Sequence, residues 1–143
     1  MAPEPLVERV HRYLGPLILR RALSAKCFQP SSMGEEVVQL DSDEFKILVN
    51  RDRGGNEWIE VGSKIRPKPR APLRSYLLCR LIAFLYGSAP KDRCDLEAEA
   101  RLLVEREKEL LNSVLINSEE LRLWNTDAAR VMFGQKPHGN WPR

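Results

Sequence analysis

The chain has 143 residues, a net charge of +3 and three cysteines. That length suits a single domain able to bury a core without staples. The longest apolar run, Leu77 to Tyr86, is interrupted by Arg80 and falls well short of the roughly 18 residues of a membrane span. The N-terminal region carries Glu4 and Glu8 and lacks the apolar stretch of about 7–15 residues that a secretory signal needs. The spacing of Cys27, Cys79 and Cys94 suggests free thiols, so the expected setting is the cytoplasm. Charge is laid out in blocks: basic over residues 1–30, acidic over 31–62, strongly basic over 63–93 and mildly acidic after that. Such blocks either neutralise one another within a fold or form separate faces for charged partners.

Residues 5–24 read as a helix, with Leu6, Val10, Tyr13, Leu14 and Leu17 three or four apart. Gly15-Pro16 is expected to kink or split it, because proline removes a helical hydrogen bond. Residues 29–35 read as a loop, Val37 to Leu40 as a short strand and Asp41-Ser42-Asp43 as a turn. The clearest local signal follows. Phe45, Ile47 and Val49 alternate with Lys46, Leu48 and Asn50, a strand period, and Trp58, Ile59 and Val61 open a second β-rich run. Arg51-Asp52-Arg53-Gly54-Gly55-Asn56 between them is a polar turn with glycines able to adopt positive φ. The expectation is a hairpin over 45–61 within a small antiparallel sheet of about three strands.

Residues 62–72 hold three prolines among basic residues and predict an extended, polyproline-like path. A helix is predicted from Pro72 to Tyr86, ended by Gly87, apolar around most of its surface and therefore central. A long helix is predicted over Asp95 to Asn112, with Leu96, Leu103, Leu110, Leu111 and Val114 as its stripe. A last helix is expected to start at Ser118, pause near Asn125-Thr126 and end at Gly134. The tail 135–143 is expected to be loose. The fold class is thus α+β, one domain over 1–134, with the sheet packed against helices.

Two segments stand out as candidate binding sites. In the turn, Asp52 is placed to orient Arg51 or Arg53 toward an anionic partner, although aspartate and glycine also suit such turns for backbone reasons alone. Lys64, Arg66, Lys68, Arg70 and Arg74 form a run with no acidic residue, and an extended path would spread them at spacings suited to phosphates or carboxylates. A metal-dependent nuclease pattern would need Asp43 or Asp52, then Glu57 or Glu60 followed two residues later by lysine; Ile59 and Gly62 occupy those positions and Lys64 is out of step. His11 and His138 lie in no recognisable nucleophile setting, and there is no close Cys or His pair for zinc and no glycine-rich phosphate loop. Neither a catalytic residue, a metal nor a cofactor is therefore expected. Trp58 is expected in the core and Trp124 at a helix contact, while Trp141 in the polar tail reads as a possible partner anchor.

Phe45-x-Ile47-x-Val49-x-Arg51-Asp52-Arg53-Gly54-Gly55, then Trp58-Ile59-x-Val61-Gly62, then Leu81-Ile82-Ala83-Phe84-Leu85-x-Gly87 resembles small uncharacterised bacterial α+β proteins. Some of these look like immunity proteins of polymorphic toxin systems or sit among defence genes. The resemblance covers residues 40–87, and the basic insert at 64–72 departs from it. It implies a non-enzymatic protein-binding module that neutralises a partner toxin by occlusion, and it brings no catalytic residues. The alternative expectation is a nucleic-acid-binding accessory protein using the basic segment 64–74.

Overall fold

Alternating burial along three consecutive strands organises the molecule. In a computed structural model, which describes residues 4–28, 35–65, 75–87, 95–116 and 118–136, the order is α1 (Leu6–Arg21), β1 (Ser24–Phe28), β2 (Glu36–Asp41), β3 (Phe45–Arg51), β4 (Glu57–Ser63), β5 (Ser75–Leu77), α2 (Leu78–Tyr86), α3 (Leu96–Glu105), α4 (Glu107–Ile116) and α5 (Ser118–Met132). The strands form one antiparallel sheet in chain order, β1 to β5. The expected α+β class holds; the sheet has five strands where the sequence predicted about three.

The hairpin over 45–61 is present as β3 and β4, paired from Phe45↔Ser63 to Arg51↔Glu57. Phe45, Ile47, Val49 and Arg51 are buried and the residues between them half-buried. Its turn is built by Asp52: Asn56 N–H donates to Asp52 Oδ1 at 3.0 Å, and Asp52 N–H donates to the Asn56 carbonyl at 2.9 Å. Gly55 supplies φ 82°, a conformation a side chain would strain. At the preceding turn the Ser42 hydroxyl accepts from Glu44 and Phe45 N–H, both at 3.2 Å.

Helix α1 runs through Pro16 as one element, with the proline on the exposed side. It ends where Ala22 takes φ 50°, and Leu23 N–H reaches back to the Ile18 carbonyl at 3.0 Å. Glycine is at ease in this left-handed capping position and alanine is not. Ala22→Gly should therefore stabilise the fold by about 0.5–1 kcal/mol, read as a higher urea midpoint at unchanged slope; an unchanged or lower midpoint would contradict the cap.

Two expectations in the second half are corrected. Ser75–Leu77, predicted as helix, is strand β5 paired to Gly62–Glu60, and the helix begins at Leu78. Tyr76, opposite Val61, turns into the core, and that burial outweighs the local helical spacing. The predicted long helix is divided at Arg106 (φ −121°, ψ 32°) into α3 and α4. The apolar spacing passes through the break unaltered, so periodicity gives no sign of it. Gly87 (φ 73°) ends α2 as expected, and α5 passes Asn125-Thr126 without a pause to reach Gly134 at φ 74°.

One apolar cluster joins all five helices to one side of the sheet. It contains Leu6, Leu14 and Leu17 of α1, Leu40, Ile47 and Ile59 of the sheet, Leu81, Leu103, Leu110 and Leu121. Trp124 closes the α5–α2 contact edge-on to Phe84, with ring centroids 5.7 Å apart. Cys79 is buried and Cys27 is exposed, both as free thiols. The segments 66–74 and 88–94, with Cys94, His138 and Trp141, lie outside the described residues. No helix among the described residues is long and apolar enough to cross a membrane.

Candidate functional site

The register sorts the sheet's side chains into two faces. One parity, including Val38, Leu40, Ile47, Val49, Ile59 and Val61, meets the helices. The opposite parity forms three rows across the strands: Phe28–Val37–Asn50–Trp58, Lys26–Gln39–Leu48–Glu60–Leu77, and Ser24–Asp41–Lys46–Gly62–Ser75. Phe28, Val37, Leu48, Trp58 and Leu77 belong neither to the core cluster nor to the half-buried side chains packed against it. Phe28 is 45% exposed on β1, an edge strand exposed along its whole length. Among the described residues, the second face thus carries five apolar side chains with no helix upon them. Trp58, expected in the core, lies here and is half-buried; its strand neighbours Ile59 and Val61 take the inward positions.

The predicted turn site has a different arrangement from the one expected. Arg51 ends β3 on the helix side and is buried. Its Nη1 donates to Glu36 Oε1 at 2.9 Å, and its Nε and Nη2 donate to Glu57 Oε2 at 3.2 and 2.9 Å. Arg9 of α1 donates to both oxygens of the same Glu57, at 2.9 and 2.8 Å. The Glu57 bond raises the Arg9 pKa, against burial, which lowers it. Leu6 N–H, at the start of α1, donates to Glu36 Oε2 at 3.2 Å. Two arginines and two carboxylates therefore tie the head of α1 to β2, β3 and β4. Arg51, Asp52 and Arg53 do share one shallow cleft of about 410 Å³ with Glu4, Arg9, Glu36, Gly55 and Glu57. Within it the Asp52 carboxylate serves the turn through Asn56, and Glu36 and Glu57, not Asp52, orient Arg51.

Lys64 lies at the other end of β4, seven residues from Glu57, or about 20 Å along a strand. Its ammonium is 2.9 Å from Asp41 Oδ1. Burial pushes the Asp41 carboxyl up, but the Gln39 amide and Lys64 outweigh it and hold the group below the usual range. Arg66, Lys68, Arg70 and Arg74 lie outside the described residues, so the structure brings together the turn residues and leaves Lys64 apart. Of the carboxylates weighed as nuclease ligands, Asp52 and Glu57 share the shallow cleft, but Asp52 serves the turn and Glu57 is held by two arginines, while Glu60 projects from the opposite face of β4. Among the described residues no group of three His, Cys, Asp or Glu side chains is placed to hold a metal ion.

The chain matches no protein-family model, no curated protein and no solved structure. The geometry alone therefore bears on function. Its distinguishing feature is the second sheet face, which reading for single motifs missed. The signal lay in apolar residues of both parities: Val37 beside Val38, Leu48 between Ile47 and Val49, Trp58 beside Ile59. A one-sided sheet would alternate apolar with polar residues.

Proposed function

We propose that the protein is a non-enzymatic binding module of the immunity type, which seats a protein partner on the second face of its sheet and neutralises it by occlusion. The observation that carries this reading is the band Phe28, Val37, Leu48, Trp58 and Leu77 lying outside the helix-covered core. Apolar surface of this kind, rimmed by charge, suits a macromolecular contact. Lys26 and Lys46 flank the band, and the basic block begins at Lys64 where β4 ends. With Glu60 and Asp41 in the same rows, a partner with an apolar centre and a rim of mixed charge fits: the rim speeds encounter and the buried anchors set affinity. Of the two turn arginines, Arg51 contributes less than the sequence suggested, because it is already matched by Glu36 and Glu57.

The test is co-purification from the native host with wild type and Leu48→Glu. The expected result is one stoichiometric protein partner with wild type, and binding weakened roughly thirtyfold by a charge in the middle of the band, as for an anchor worth about 2 kcal/mol. Leu48 is half-buried outside the core, so the variant should keep the wild-type melting curve. Recovery of the protein alone, or a partner retained by the variant, would sink the reading. Recovery of nucleic acid that is shed steeply with salt would move the function to the basic segment 64–74.

A further inference from the structure

Glu99 of α3 is 2% exposed. Its neighbours on the helix stripe, Leu96, Ala100 and Leu103, all belong to the apolar cluster, and α3 packs against α1, β4 and α4. A carboxylate in such a place needs partners, and among the described residues neither Glu99 oxygen has a hydrogen-bond partner. β5 pairs with β4 only as far as Glu60↔Leu77, so Ile59 lies one residue beyond the ladder on that side. Its main chain favours the charged form of Glu99 somewhat, without reaching hydrogen-bond geometry with either oxygen.

The charged groups on the surrounding elements are engaged elsewhere. On α1, Arg9 binds Glu57 and Arg12 binds Glu4, and Arg12 and Tyr13 line a surface hollow with Glu97, Arg101 and Glu105 of α3. On β4, Glu57 belongs to the arginine network and Glu60 projects from the opposite face. On α4, Glu107 is held by Arg20 and Arg21, while Lys108 and Glu109 are exposed. The charge that acts on Glu99 is Asp95 at the head of its own helix, and it is of the same sign. Burial first, then Asp95, push the Glu99 carboxyl up to about 7.

We propose that Glu99 makes the seat of α3 a proton-controlled latch: the helix closes on β4 with the carboxyl neutral and loosens when it ionises. The inference is independent of the partner-binding reading. Its sign follows from linkage. The folded-state value lies above the ordinary 4.5 of the unfolded chain, so the stability contributed by this group is complete below that ordinary value. It is lost as pH rises towards the folded value and changes no further above it. Asp41 and Glu107, held below the usual range, act in the opposite sense and lose stability on acidification, so the variant-to-wild-type ratio is the quantity to read.

The experiment is urea unfolding of the full chain, wild type beside Glu99→Gln and Glu99→Met, from about pH 5 to pH 8. The unfolding constant of wild type divided by that of Glu99→Gln should rise up to tenfold per pH unit between about pH 5 and 7 and flatten above. Glu99→Met provides the same comparison without a buried amide. Hydrogen-exchange protection of the α3 amides should fall over the same interval in wild type by more than that of β2–β4, which follows the global stability alone, and this excess should be absent in both variants. Parallel pH profiles for wild type and both variants would overturn the proposal, and so would a loss of protection shared equally by every element.

Discussion

Glu57→Met should destabilise the protein by about 3–5 kcal/mol, the range for removing one partner of a buried ionic cluster. Glu57 is the hub of the network at the head of α1: its two oxygens accept from Nε and Nη2 of Arg9 and from Nε and Nη2 of Arg51. The Arg51 side chain is only 7% exposed. Without Glu57 it keeps the single bond to Glu36, and Arg9 keeps a 3.9 Å approach to Glu4 and its place over the Tyr13 ring. Two guanidinium groups are then left under-partnered, one of them largely buried, and such charges are costly where they are poorly solvated. Arg51→Met should be milder, near the lower end of that range, because Arg9 still neutralises Glu57 through both oxygens. Combining the two substitutions should therefore be clearly less than additive, with a coupling of about 0.5–3 kcal/mol. Urea midpoints of the two single variants and the double variant settle the point. Additive losses, or a Glu57 loss under about 1 kcal/mol, would mean that the network is surface decoration.

That network also marks where the sequence stops being legible. Arg51 and Glu57 face each other across the hairpin, but Arg9 and Glu36 lie far from them in the chain, and the meeting of all four depends on the β2–β3–β4 register and on α1 crossing the sheet end. Glu57 invited a metal-ligand reading because local spacing shows a carboxylate and not the arginines that claim it. The β3–β4 hairpin was legible because two local signals agreed, alternation on both sides and a turn with Asp52 and Gly55 where the backbone needs them. β1 and β5 lacked such agreement. Ser24–Phe28 is an edge strand exposed throughout, so burial imposed no alternation on it. Ser75–Leu77 has three residues and runs directly into an apolar helix whose period swallows it. The break at Arg106 is likewise silent in periodicity. The second sheet face was half legible: the doubled apolar parity is written in the strands, but which residues share a row requires the pairing.

Phe45→Ala should lower stability by about 3–5 kcal/mol, the range for deleting a fully buried aromatic ring. Phe45 opens β3 opposite Ser63 and is 1% exposed, among the largest fully buried side chains. Its ring also lies beneath the Arg21 guanidinium, 5.3 Å from the centroid. Arg21 in turn binds Glu107 at the start of α4, together with Arg20. The ring therefore supports both the core and the ionic joint between α1 and α4, and the alanine variant should weaken both. Phe45→Leu separates the two contributions. It restores most of the apolar volume and should recover all but about 1–2 kcal/mol, while still lacking a π-face. The remaining deficit should shrink when Arg21→Ala is added, by the roughly 0.5–1 kcal/mol of a partly exposed cation–π contact. If Phe45→Leu behaves as wild type in both backgrounds, the ring contributes packing alone and the joint is held by Glu107. If Phe45→Ala loses less than about 1.5 kcal/mol, the sheet end relaxes around the gap, and the pairing of Phe45 with Ser63 is not the fixed point of the core that its burial implies.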